Sequence, residues 1–154
     1  MKSLMKLVQI ASLAVLTLVL VGAGLAQDSP QRAVASKTAT FGTVEKTKAP
    51  YATAIESHEL AKGAALAKAN KDGAFRGTVT EVFSPQTGSV AILNFDRNYK
   101  TAVTAVVFKD HFAAFPDLTT LVGKEIVVTG KFADFKGGTQ IVLDEPAQIL
   151  VVKP

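Results

Sequence analysis

Residues 75–152 carry five short β-type runs with one helical stretch between the third and the fourth. That order, strand-strand-strand-helix-strand-strand, limits the architecture more than any other feature of the chain. It is the layout of a small five-stranded barrel.

In the first run Phe75, Gly77 and Val79 alternate, but Val82 and Phe83 break the period of two. A bulge or sharp bend is expected there, because the first strand of a small barrel must curve enough to serve both halves. Ser84-Pro85-Gln86-Thr87-Gly88 is a turn. The second run spans 89–95 and the third 101–108, joined by Asp96-Arg97-Asn98-Tyr99-Lys100. Asp110 is placed to cap a helical turn through Phe115, and Pro116-Asp117 opens a second turn that ends at Gly123. The fourth run sets Ile126, Val128, Gly130 and Phe132 on one face and Val127, Thr129, Lys131, Ala133 and Phe135 on the other. Lys136-Gly137-Gly138 predicts a tight hairpin. The fifth run starts at Thr139, breaks at Asp144-Glu145-Pro146 and resumes from Ile149 to Val152.

Upstream, Lys2 and Lys6 precede an uncharged run, residues 7–21, that ends in Ala23-Gly24-Leu25-Ala26. This pattern reads as a secretory signal over residues 1–26, cleaved after Ala26; an uncleaved anchor is the alternative, since residues 7–26 are just long enough to span a bilayer. Residues 27–52 are expected to form a flexible leader rich in Ser, Thr, Lys and Ala, with residues 38–44 as an optional edge strand. The domain then covers 53–154, with a short helix over 57–69 ahead of the barrel at 74–152. Ser57 is the expected helix cap, and Leu60, Ala64 and Ala67 the face turned to the barrel.

The chain has no cysteine, which excludes thiol catalysis, Cys-ligated metals, disulfides and a Cys-linked lipid anchor. The formal net charge is +4, from 17 Lys and Arg against 13 Asp and Glu; Lys2 and Lys6 lie ahead of the expected cleavage point, which leaves +2. So small an excess is weak as an electrostatic footprint. Neither His58 nor His111 belongs to a metal-ligand or nucleophile motif, and there is no phosphate-cradling glycine loop. No cofactor, no metal site and no enzymatic activity are expected.

At Leu93-Asn94-Phe95, Thr104-Ala105-Val106-Val107-Phe108, Leu121-Val122-Gly123-Lys124, Val128-Thr129-Gly130-Lys131 and residues 135–143, the chain resembles a bacterial exported OB-fold family akin to the tRNA-anticodon-type nucleic-acid-binding OB domains. The resemblance implies a five-stranded OB barrel with a helix between strands three and four. It further implies a periplasmic or extracellular, non-enzymatic binding module for single-stranded DNA or RNA. This chain departs from the family by having Tyr99-Lys100 and then Val103 where relatives carry Tyr-Pro and an aromatic residue.

Single-strand binding needs rings for base stacking and cations along the backbone track. Runs two and three contain no Lys or Arg, so the candidates come from the rims: Arg97, Tyr99 and Lys100 in one loop, and Lys131, Phe135 and Lys136 at the last hairpin. The third run is apolar on both faces, Val103 and Val107 on one and Val106 and Phe108 on the other. Its outer side therefore calls for a cover, either the helix over 57–69 or a partner. Two other functional classes stand beside nucleic-acid binding: an envelope or extracellular protein-interaction module, and more distantly a metal-dependent phosphodiesterase.

Overall fold

The computed structural model describes residues 29–154, so the expected signal segment lies outside the described residues. The chain is mostly β with few helices, arranged as a curled sheet. The elements are α1 (Pro30–Val34), β1 (Gly42–Val44), β2 (Ile55–Glu56), α2 (Leu60–Lys68), β3 (Asp72–Thr78), β4 (Glu81–Phe83), β5 (Val90–Asn94), β6 (Thr104–Phe108), β7 (Glu125–Phe135), β8 (Gly138–Leu143) and β9 (Ile149–Val152). Among the described residues there are thus nine strands, not the five expected. The first run divides into β3 and β4, the fifth into β8 and β9, and β1 and β2 are short additions at the edge.

The division of the first run is the bend that its broken alternation predicts. β3 pairs antiparallel with β7, from Asp72 opposite Lys131 to Thr78 opposite Glu125. At Val79 the backbone bonds to Gly123 and Lys124, and at Thr80 it turns to bond Asn94. β4 then pairs with β5. The sheet continues through antiparallel β5–β6, parallel β6–β8 and antiparallel β8–β7, which returns it to β3. One bent segment thus joins both ends of the curl.

β7 changes partners along its length: residues 126–128 pair with β9 and residues 132–135 with β8. Gly130 sits at the change with φ 149°, and a Cβ there would lie 2.8 Å from both Gln148 Nε2 and Ile141 Cγ2. Gln148 Nε2 donates to the Thr129 carbonyl at 3.1 Å, which satisfies the backbone where the ladder is interrupted. The β7–β8 hairpin has Lys136 and Gly137 at φ 48° and 79°, both left-handed, as a two-residue turn requires.

The core inside the curl is built on Phe75, which meets Phe95 edge-on at 4.9 Å and Phe132 at 6.3 Å between ring centroids. Leu93, Val107, Ile126, Val128, Ile141, Leu143 and Ile149 surround these rings and are fully buried. Residues 109–121 form no α-helix. They make two 3₁₀ segments, Lys109–Ala114 and Leu118–Leu121, which insert Phe112, Phe115, Leu118 and Leu121 into the core. A helix fails here because Pro116 interrupts the stretch after two turns.

Gln31 completes that region from a distant part of the chain. Fully buried, it donates from Nε2 to the carbonyls of Phe112, Phe115 and Pro116, and its Oε1 accepts from the Leu118 N–H at 3.0 Å. Arg32 pairs with Asp117 at 3.2 Å, the Ser36 N–H donates to the Phe115 carbonyl, and β1 pairs in parallel with β9. The stretch expected as a flexible leader is therefore seated on the sheet over its described residues. Its hydrogen bonds go to remote backbone, and its buried Ala35 and Val44 and its core-packed Phe41 are too widely spaced to give an apolar period.

α2 also differs in detail from its sequence reading. Ser57 does not cap it: Ser57 is buried, its N–H donates to the Arg76 carbonyl and its own carbonyl accepts from Val103. Glu59 precedes the helix, and its carboxylate accepts from Glu56 N–H and Lys62 Nζ. The face turned inward is Leu60, Gly63, Leu66 and Ala67, whereas Ala64 is exposed. Gly63 makes the approach possible, since a Cβ there would stand 3.1 Å from Val103 Cγ2. α2 thus lies near the start of β6 and near Thr139 at the start of β8, opposite the end where Lys109–Ala114 follows β6. No helix among the described residues is long and apolar enough to cross a membrane.

Candidate functional site

Side chains alternate across β5, β6 and β8. Ala91, Leu93, Ala105, Val107, Ile141 and Leu143 turn inward and are fully buried. Val90, Ile92, Asn94, Thr104, Val106, Phe108 and Gln140 turn outward. With Glu81 and Phe83 of β4 they floor a groove of about 830 Å³. The loop 95–103 closes one side and the β7–β8 hairpin another. α2 lies elsewhere, so the outer side of β6 is not covered by the helix.

Four rings stand on this groove well exposed to solvent: Phe83 at 44%, Phe108 at 47%, Phe135 at 55% and Tyr99 at 60%. Isolated exposed apolar residues are ordinary, but four rings bordering one concave surface form a patch of the kind that marks interaction sites. Arg97, Lys100 and Lys136 also line it, and none has a carboxylate within 4 Å among the described residues. Lys100 Nζ lies 5.8 Å from the Tyr99 ring centroid and Lys136 Nζ 5.2 Å from that of Phe135, both within cation–π range. Each rim therefore offers a ring with a cation beside it. Glu81 is the lining acid among the described residues.

The Arg97–Lys100 loop is held by its own polar side chains. Asp96 Oδ1 accepts from the Asn98 N–H, Asn98 Oδ1 accepts from the Lys100 N–H, and Thr101 Oγ1 donates to the Asn98 carbonyl at 2.7 Å. The Asn98 N–H, with the Thr101 hydroxyl next, holds the Asp96 carboxyl below its ordinary range. His58 Nδ1 sits 3.6 Å from Asp96 Oδ2 at the outer side of the same loop. These contacts present Arg97, Tyr99 and Lys100 from an anchored turn.

Of the six residues singled out from sequence, Arg97, Tyr99, Lys100, Phe135 and Lys136 come together on the groove. Lys131 does not: it lies opposite Asp72 on the part of β7 paired with β3, outside the lining. Lys131 and Phe135 share alternation, but Lys131 is the last residue of β7 paired with β3 and Phe135 the last paired with β8, so only Phe135 reaches the groove. Sequence reasoning missed Phe83, Ile92, Asn94 and Glu81. The signal for Phe83 was the broken period at Val82-Phe83, and for the floor it was the apolar outer face of β6.

The other charged cluster is internally paired. Tyr51 Oη donates to Glu125 Oε1 at 2.8 Å, Lys46 Nζ reaches Glu125 Oε2 at 3.1 Å, and Arg76 lies 4.2 Å over the Tyr51 ring while pairing with Glu56. Burial opposes ionisation of Glu125, but the hydrogen bonds from Tyr51 and Lys46 outweigh it and hold the carboxyl below its ordinary range. No group of three or more His, Asp or Glu that would hold a metal ion occurs among the described residues.

No protein-family model matches the chain, and no curated protein matches it. Solved structures similar to it in part include two OBody complexes. OBody AM1L10 bound to hen egg-white lysozyme shares 21% identity over 55% of this chain and 81% of its own, with a TM-score of 0.37. OBody AM3L09 bound to hen egg-white lysozyme shares 19% over 58% of this chain and 90% of its own, with a TM-score of 0.38. Likenesses this distant carry no inference about what the groove binds.

Proposed function

We propose that this protein is an exported, non-enzymatic OB-fold module that binds single-stranded nucleic acid along the β4–β5–β6–β8 groove. The strand path supports the OB reading: bent first strand, antiparallel second and third, parallel pairing of third with fifth, and return through the fourth to the first. The observation that carries the ligand reading is the coincidence, on one concave face, of four exposed rings and three cations that have no acidic partner among the described residues. Rings stack on bases of any sequence, at about 1–3 kcal/mol per base, and the cations follow the phosphates. Export rests on the signal pattern of residues 1–26.

Fluorescence anisotropy of labelled single-stranded and duplex oligonucleotides tests the reading. Saturable binding that prefers single strands is expected, with log K falling against log salt at a slope of about −2, for roughly three phosphates neutralised at about −0.7 each. Absence of binding at low salt rules it out. A protein-interaction module is the second reading, favoured by the apolar floor of Phe83, Ile92, Val106 and Phe108 and by the outer edge of β4, unpaired among the described residues. A partner held by that floor would bind with little salt dependence.

A further inference from the structure

The groove is graded along its strands. Arg97 and Lys100 lie in the loop between β5 and β6, and Lys136 precedes the start of β8, so all three cations border one end. The first outward row next to that end is polar. Glu81 faces Asn94 across β4–β5 and Thr104 faces Gln140 across β6–β8, with Asn94 and Thr104 each one residue beyond the paired Leu93 and Ala105. The next outward row lies two residues further from the cations, roughly 7 Å along the strands, and is apolar: Phe83 faces Ile92, and Ile92 faces Val106. Val90 and Phe108, paired beyond it, carry the apolar surface to the far end.

Three strips therefore follow one another: cations, hydrogen-bonding groups, apolar side chains. A single nucleic-acid strand has three strips in the same order across its width: phosphate, sugar, base. Glu81 fixes the match, since an exposed carboxylate in the polar row repels the phosphates that the rim cations attract. Bases then fall on Phe83, Ile92 and Val106, and sugars on the polar row. Thr104 and Gln140 line that row half-buried, and among the described residues neither side chain makes a hydrogen bond within the protein. From this order of strips, and resting on the nucleic-acid reading above, we propose that the strand crosses the groove with successive sugars over Glu81, Thr104 and Gln140, which select RNA over DNA through the ribose 2′-hydroxyl. That hydroxyl donates to the Glu81 carboxylate or the Gln140 carbonyl, and accepts from the Thr104 hydroxyl or the Gln140 amide N–H. Deoxyribose covers the same groups and leaves them without a partner.

The test is anisotropy of labelled oligouridine, oligodeoxyuridine and 2′-O-methyl oligouridine of one length, at a single salt concentration. The three share base and phosphate, and the 2′-O-methyl sugar keeps the oxygen of RNA but loses the O–H. The ribo-oligonucleotide binds about tenfold tighter than the deoxy form, and 2′-O-methylation removes most of that advantage. The double variant Thr104→Val, Gln140→Leu, similar in shape but without the polar groups, brings the ribo-to-deoxy ratio near one. Equal wild-type affinity for the ribo and deoxy forms, or tighter binding of the deoxy form, overturns the sugar subsite and leaves the nucleic-acid reading intact. An RNA preference that survives 2′-O-methylation or the double variant overturns the assignment to these side chains. No binding to any of the three overturns the subsite and the reading together.

Discussion

Two charged surfaces lie on the same curled sheet, and they are organised in opposite ways. Around β3 and the start of β7, Lys46, Tyr51, Glu125, Arg76 and Glu56 neutralise one another through hydrogen bonds and ion pairs. On the groove, Arg97, Lys100 and Lys136 have no acidic partner among the described residues and stand beside exposed rings. Charges that satisfy each other fasten the chain to itself. Unpaired cations beside exposed rings contribute little to folding and leave their interaction energy for a ligand. Stability should therefore respond to the first surface and binding to the second.

The largest effect strikes the core that supports both. Val128 is fully buried, facing Phe75 on one side of β7 and Ile149 on the other. Val128→Asp buries an unpaired carboxylate and should cost more than about 4 kcal/mol, seen as loss of a cooperative thermal transition by circular dichroism. Next in size, the triple variant Arg97→Ala, Lys100→Ala, Lys136→Ala should weaken single-strand binding about a hundredfold at low salt and flatten the salt dependence, with unfolding unchanged. A triple variant that binds as tightly as the wild type would remove the functional half of the contrast.

Arg76→Ala should do the converse. It removes an ion pair and a cation–π contact from the paired surface, at about 1 kcal/mol in urea denaturation, and leaves oligonucleotide affinity unchanged. A smaller effect concerns pH. The depressed carboxyl of Glu125 contributes stability that is fully present above its unfolded-state value near 4.5 and is lost as pH falls through its lower folded value. Glu125→Gln should accordingly reduce the loss of stability on acidification below about pH 4.5, measured by denaturation across that range. The smallest change is expected from Lys131→Ala, which lies off the groove and should shift affinity less than about twofold. A loss comparable to that of Lys136→Ala would extend the ligand path beyond the groove described here.

The strand path was largely legible from local pattern. Alternation located the runs, the irregularity at Val82-Phe83 marked the bend, and Lys136-Gly137-Gly138 marked the hairpin. The rim candidates were equally accessible, because a short loop and a tight hairpin of one barrel project their rings and cations near its sheet. Lys131 was misplaced because alternation along β7 carries no record of its neighbours: Lys131 ends the pairing with β3, opposite Asp72, whereas Phe135 lies four residues on in the hairpin with β8. Residues 29–56 were under-read because Gln31 and the short strands act through hydrogen bonds to remote backbone, which leave no periodicity. The 3₁₀ character of residues 109–121 was hidden for a related reason: Gln31, more than eighty residues away, supplies hydrogen bonds to that segment.

What the sequence determined by itself is therefore the alternating strands, their turns and the absence of thiol chemistry, since each depends on residues within a few positions of one another. Only the tertiary structure decided that α2 does not cover the outer face of β6, that three groove cations have no acidic partner among the described residues, and that Glu81 lies opposite Asn94. Those outcomes are set by strand register and by packing between distant segments, and neither quantity is written in any local stretch of the chain.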